Sequence, residues 1–235
     1  MSSLCILCGE LSFFSVVNDA KTAMDRMYRY QRHFYDLTRK YYLLGRDRMI
    51  AEMNVQPNET ILEVGCGTGR NLVVLAEKYP AARFYGLDAS SVMLKTAQKK
   101  LDARSLTARV TLRTELAEDL DCRRTFALDA PFDTIFFSYS ITMIPTWRES
   151  IAAALANLKP GRSVYLVDFW DQKDLPDWFQ KLLTGWLKQF HVSHWAELMP
   201  HLESLQSAGT VKLTVASIAR RYAFLARLEK LRQQD

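Results

Sequence analysis

The sequence predicts an α/β fold, a doubly wound, Rossmann-like parallel sheet covered by helices on both faces. Three observations predict it. Short β-branched runs alternate with helical stretches from residue 60 onward. The runs read as buried strands, the kind that strand–helix alternation makes parallel. A glycine-rich loop, Gly65-Cys66-Gly67-Thr68-Gly69, joins the first run to the first helical stretch.

TILEVG (60–65) is the first strand, followed by a helix from about Arg70 to Tyr79. RFYGLD (83–88) is the second strand, and Ser90–Ala103 carries a helical apolar stripe through Val92, Met93, Ala97 and Leu101. RVTLRT (109–114), FDTIFFSY (132–139) and SVYLVDF (163–169) read as further strands. Trp147–Leu158 is the helix before the last of these, with LKPGR as its exit turn. VKLTVASI (211–218) and RRYAFLARL (220–228) read as an antiparallel edge pair. Two segments lie outside this core: a helical lead-in over 24–53 and a helical insertion over 171–208 holding Trp178, Trp186 and Trp195. Without an internal repeat or a Pro/Gly linker, residues 24–235 are expected to form one domain behind a loose segment 1–23.

Apolar content of 49% and charged content of 24% exclude global disorder. Four cysteines are too few and too irregularly placed for a disulfide framework, and the lone Cys5-x-x-Cys8 reads as incidental. A reduced, cytoplasmic setting is expected. No stretch approaches the roughly 18 apolar residues of a spanning helix, and residues 1–20 lack the basic start of a signal peptide. Charge is uneven. Lys21–Met53 holds eight Lys/Arg against four Asp/Glu and the stretch from Gly209 onward six against two, so the remainder carries −3 of the net +5. Two basic ends suggest an anionic partner surface, or a pair of solvated faces.

The glycine loop lies where open parallel sheets bind ligands, beyond the carboxyl ends of the strands. A dinucleotide fingerprint needs a third glycine at position 70, which is Arg, and a phosphate loop needs Gly-Lys-Ser/Thr, which is absent. Glu63 would repel phosphate and suits a cation, and Gly69 is expected to contact the same ligand. Asp88 ends the second strand 19 residues beyond Gly69, where a carboxylate accepts from ribose hydroxyls. A ribose beside a phosphate-free cation points to S-adenosylmethionine.

With "LEVGCGTG", "YGLDASSVML", "AEDL" (117–120), "FDTIFFSYSI" and "LKPGRSVYLVDF", the chain resembles the class I S-adenosylmethionine-dependent methyltransferases over about residues 60–170. The resemblance implies a seven-stranded sheet with an antiparallel last strand, and S-adenosyl-L-homocysteine as the product. It carries cofactor contacts to Gly65, Gly67, Asp88, Ala89, Met93 (against adenine), Ala117, Glu118 (near the adenine amino group) and Ser138. The family often has an acidic residue where this chain has Leu116.

The lead-in "MDRMYRYQRHFYDLTRKYYLLGRDRMI" presents an aromatic face with Arg26, Arg29, Arg32, Arg39 and Lys40 around it. A basic aromatic helix suits an anionic membrane surface, as a peripheral lid on its inner face. This stretch is similar to the lead-in of bacterial N-methyltransferases of betaine-lipid synthesis. That resemblance implies three methylations of diacylglyceryl-homoserine. Related quinone and phospholipid methyltransferases share its Tyr-Asp pair, so a C- or O-methyltransferase of a quinone or other small acceptor, or a phosphatidylethanolamine N-methyltransferase, stays open.

Methyl transfer rests on positioning and electrostatics. Tyr28, Tyr35, Tyr42, Tyr139, Trp147 and Trp170 are candidates to face a lipid or amphiphilic acceptor and its methylated cation. Tyr35, Tyr139 and Asp168 are the catalytic candidates, Asp168 by accepting a proton. Tyr35 and Arg46 are also assigned to the cofactor carboxylate or its lid, and Arg39 to an acceptor carboxylate. No cluster has metal-ligand spacing, so no metal is expected. His33, His191, His194 and His201 form no recognisable triad, and no nucleic-acid motif appears.

Overall fold

The computed structural model describes residues 43–188 and 195–232. The segment 1–23, most of the expected lead-in, Cys5, Cys8, His33, His191 and His194 lie outside the described residues. Helix α1 (Arg46–Glu52) precedes β1 (Thr60–Val64), α2 (Arg70–Lys78), β2 (Arg83–Asp88), α3 (Ser91–Asp102) and β3 (Val110–Thr114). Then come α4 (Cys122–Phe126), β4 (Phe132–Ser138), a 3-10 turn (Ile141–Met143), α5 (Trp147–Ala156) and β5 (Leu158–Phe169). Helices α6 (Asp177–Lys188) and α7 (Leu198–Ser207) fill the expected insertion, and β6 (Val211–Ile218) and β7 (Ala223–Lys230) close the fold.

The seven strands form one sheet in the order β3-β2-β1-β4-β5-β7-β6. Strand order reverses between β1 and β4, both parallel to their neighbours, and β7 alone runs antiparallel between β5 and β6. This is the mixed seven-stranded, Rossmann-like sheet that the sequence predicts.

Successive residues alternate between two cores, as the period of a pleated strand requires. Ile61, Phe84 and Phe136 face one core with Met49, Leu72 and Leu75. Leu62, Tyr85, Ile135 and Phe137 face the other with Trp147, Ile151 and Leu202. Burying both faces at this depth makes the central strands apolar throughout. On the second face Tyr85, Phe126 and Phe132 meet edge to face at centroid distances of 5.3 to 5.8 Å.

Three expectations shift. LKPGR is not an exit turn, because Leu158 already pairs with Phe132 and a register irregularity separates that pair from Thr134↔Ser163. The excess chain on β5 is tied down where Lys159 Nζ donates to both Asp133 oxygens at 2.9 Å and Arg162 lies 2.6 Å from Glu59. The last strand begins at Ala223 rather than Arg220, because Ala219, Arg220 and Arg221 turn with φ of 47°, 56° and 59°. Helix α4 is additional to the predicted elements; Asp121 caps it by accepting from Arg123 N and Arg124 N. Among the described residues no helix is long and apolar enough to cross a membrane.

Candidate active site

The carboxyl ends of β1, β2 and β4 open into a cavity of about 340 Å³. Its floor is the glycine loop. Gly65 and Gly67 both hold positive φ, 71° and 53°, but for different physical reasons. A Cβ on Gly65 would stand 2.5 Å from Ser140 Cβ, so that glycine serves the packing of β1 against the β4 end. A Cβ on Gly67 would meet nothing within 4 Å, although Gly67 lines the cavity. There the missing side chain keeps the backbone bare toward the cavity. Gly69 is not a cavity residue; it caps α2 and abuts Ala97.

Asp88 fastens this loop. Its Oδ2 accepts from Gly67 N at 2.7 Å and its Oδ1 from Ser90 N at 2.8 Å. Ser90 in turn caps α3 by accepting from Met93 N at 3.3 Å. Glu63, 2% exposed, accepts from Asn71 Nδ2 at 2.7 Å. Burial pushes the Cys66 thiol well up, and the carboxylates of Asp88 and Glu63 push it further, so the floor carries a negative field.

Arg46 reaches the cavity from α1, with its Nε donating to Leu43 O at 3.3 Å. Ala89, Met93, Ala117 and Glu118 line the same space, as do Glu63, Gly65 and Asp88. Ser138, ending β4, also lines it, and its buried Oγ has no hydrogen-bond partner. Tyr139 follows with φ 54°; its ring meets Phe169 edge to face at 4.8 Å. Its hydroxyl donates to Leu44 O at 2.6 Å. Burial, and then the charge of Asp168, hold the phenol well above its usual pKa, so it stays protonated at neutral pH.

Other predicted site residues lie elsewhere. Asp168 is fully buried and does not line the cavity. Its Oδ1 accepts from Thr142 Oγ1 and Phe169 N, both at 2.8 Å, and its Oδ2 from Thr142 N at 3.2 Å. Burial outweighs those bonds and raises its carboxyl to about 6. Trp147 is 1% exposed, packed against His201 at 5.2 Å and Trp195 at 6.5 Å. Trp170 stacks on the Arg221 guanidinium at 4.0 Å and lines a second cavity. Tyr28, Tyr35, Arg39 and Tyr42 lie outside the described residues.

The cavity also holds residues to which the sequence reading assigns no contact. Thr68, Arg70 and Asn71 continue the floor, and Glu115 and Leu116 flank Ala117 and Glu118. Leu43, Met143, Ile144 and Pro145 form an apolar wall. A polar residue buried in the first turn of α2, just past the glycine loop that follows Glu63, is the signal that marks Asn71. Among the described residues no group of His, Cys, Asp and Glu is placed to hold a metal.

S-adenosylmethionine fits this donor set. Ionised, the lining carries four carboxylates, on Glu63, Asp88, Glu115 and Glu118, against the guanidiniums of Arg46 and Arg70. A net negative cavity with a bare glycine backbone and an unpartnered hydroxyl suits a cationic nucleoside better than a phosphate.

Residues 61–161 match a protein family described as a methyltransferase domain. Among curated proteins, the chain is 28% identical to the trans-aconitate 2-methyltransferase of Azoarcus sp. (strain BH72), over 48% of this chain and 40% of that one. It is 29% identical to the demethylmenaquinone methyltransferase of Lactiplantibacillus plantarum, over 56% and 53%. The chain thus spans about half the length of the curated relatives it matches. A methyltransferase from Haloferax volcanii, solved with the Trm112 methyltransferase activator, superposes with a TM-score of 0.69 at 16% identity, over 90% of this chain and 99% of that one. A SAM-dependent methyltransferase from Aquifex aeolicus superposes with a TM-score of 0.57 at 16% identity, over 89% and 96%.

Proposed function

We propose, from the premise that residues 61–161 are a methyltransferase domain, that the chain transfers a methyl group from S-adenosylmethionine to a neutral, partly apolar small molecule of quinol type. When bound, S-adenosylmethionine supplies an electrophilic methyl on a sulfonium and leaves as S-adenosyl-L-homocysteine. Asp88, fixed by two backbone amides, would face the ribose, and the bare Gly67 backbone admits the nucleoside closely. Met93, Ala117 and Glu118 would take the adenine, Ser138 would donate or accept at the tail, and Arg46 would pair with its carboxylate. Leu43, Met143, Ile144 and Pro145 exclude water on the acceptor side.

The observation that carries the acceptor class is the excess of carboxylates over guanidiniums along the cavity. Negative surroundings hold an ammonium protonated and so suppress an amine nucleophile. They also oppose a polyanionic acceptor. An uncharged ring against the apolar wall meets neither penalty, and the demethylmenaquinone methyltransferase relatives agree with it. Nothing among the described residues favours the diacylglyceryl-homoserine acceptor, because most of the lead-in that suggests it lies outside them.

The test is methyl-labelled cofactor with the full chain and three acceptors side by side: a demethylnaphthoquinol, trans-aconitate and diacylglyceryl-homoserine. Label in the quinol ring is expected. Label in a trimethylated lipid headgroup would overturn the proposal and restore the amine acceptor.

A further inference from the structure

A second cavity, of about 460 Å³, opens on the far side of the Ile141–Met143 turn. It lies where the end of β5, the start of α7 and the β6–β7 turn meet. Apolar and aromatic side chains, Phe169, Trp170, Leu198, Met199 and Phe224, share its lining with about as much polar surface. Its charged groups cancel. Asp171 pairs with both Lys173 and Arg221, Glu203 is exposed, and the Arg221 guanidinium is already engaged by both Asp171 oxygens at 2.6 and 2.5 Å while stacked on Trp170. One buried polar atom of the lining is left without a partner. Trp195 lines this cavity, and its indole Nε1, a donor only, is buried with no hydrogen-bond partner.

A buried indole N–H without an acceptor is an uncommon and unfavourable arrangement, and a bound acceptor relieves it. We infer that this cavity is a second ligand site, for an uncharged planar or aliphatic molecule that carries a hydrogen-bond-accepting oxygen. The apolar walls take up the body of such a ligand, the cancelled charges select against an ion, and Trp195 Nε1–H donates to the oxygen. A concave cavity of this size, with several aromatic and aliphatic side chains and one buried unpartnered donor, has the makeup of a small-molecule site. The inference is independent of the methyl acceptor, because no residue here lines the cofactor cavity.

The probes are 2-acetylnaphthalene, an uncharged ketone, and 2-ethylnaphthalene, its near isostere without the oxygen. The full chain labelled with 15N gives an indole N–H resonance for Trp195, identified by its loss in Trp195→Phe. The ketone is expected to move that resonance downfield, and the hydrocarbon is not. Trp195→Phe is expected to weaken the ketone roughly three- to tenfold, the worth of one hydrogen bond, while leaving the hydrocarbon's affinity unchanged. Met199→Trp, whose larger side chain takes up part of the cavity, is expected to weaken binding of both while S-adenosylmethionine still binds. A Trp195 resonance that ignores the ketone in the unmodified chain overturns the site, whatever the variants do. Ketone affinity unchanged in Trp195→Phe overturns the role of the indole.

Discussion

The carboxylate of Asp88, at the end of β2, holds the amide of Gly67 at 2.7 Å and so fixes the glycine loop from the neighbouring strand. Asp88 is therefore both a wall of the cavity and the clasp of its floor. Asp88→Ala removes an acceptor from two buried amides, Gly67 N and Ser90 N. The expected loss in S-adenosylmethionine affinity is about 1.5–3 kcal/mol, the range for bonds to a charged group. Calorimetric titration measures it. Unchanged affinity would show that neither the ribose nor the loop depends on this carboxylate.

Gly67→Ala and Gly65→Ala separate binding from folding. The new methyl at 67 meets no protein atom within 4 Å but enters space lined by the cavity residues. The fold should lose only the left-handed backbone penalty of about 1–2 kcal/mol, whereas cofactor affinity should fall at least tenfold. At 65 the methyl lies 2.5 Å from Ser140 Cβ, so overpacking of about 1–3 kcal/mol adds to the same backbone penalty. Thermal denaturation beside calorimetry tells the two apart, and a Gly67→Ala protein that binds cofactor normally would contradict the close approach.

Tyr139→Phe tests whether that residue acts in chemistry or in placement. Its hydroxyl is committed to Leu44 O, two residues before Arg46, and stays protonated at neutral pH. Removing it should lower stability by about 1 kcal/mol and weaken cofactor binding through Arg46, while leaving kcat within a few-fold of the parent. A drop in kcat of a hundredfold or more with unchanged affinity would make the hydroxyl a participant in the reaction.

What the sequence made legible was whatever repeats with a short period or stands at a fixed spacing. The strands declared themselves through residues such as Ile61 and Leu62, each buried on a different face. The loop and Asp88 were readable because a glycine run and a carboxylate 19 residues later serve few other purposes. LKPGR misled because Pro-Gly ordinarily marks a turn; here the pairing of Leu158 with Phe132 and the tertiary ion pairs of Lys159 and Arg162 with Asp133 and Glu59 keep it in β5. Helix α4 is five residues long, too short to express a helical period. Trp147 and Trp170 were ambiguous in kind. An aromatic side chain looks alike in sequence whether it fills a core, as Trp147 does, or a cavity wall.

Asp168 should set a distinctive pH dependence of stability. It sits at the end of β5 beneath the Ile141–Met143 turn, which it holds through Thr142. Burial raises its carboxyl from 3.8 to about 6, so the folded state keeps a proton that the unfolded chain releases. Below about pH 4 both states are protonated, and this group does not disfavour folding. Between about 4 and 6 the unfolded chain binds fewer protons, so stability falls as pH rises, by on the order of 3 kcal/mol in all. Above about 6 the loss is complete and constant. Asp168→Asn cannot titrate, and its amide hydrogens oppose the donors of Thr142 and Phe169, which adds an offset independent of pH. Urea unfolding of both proteins from pH 4 to 7.5 should therefore give a stability difference that shrinks with rising pH, as the parent loses the advantage of its buried neutral acid. A difference that is flat across this range would mean that Asp168 is ionised in the fold throughout, stabilised by its three bonds more than burial destabilises it.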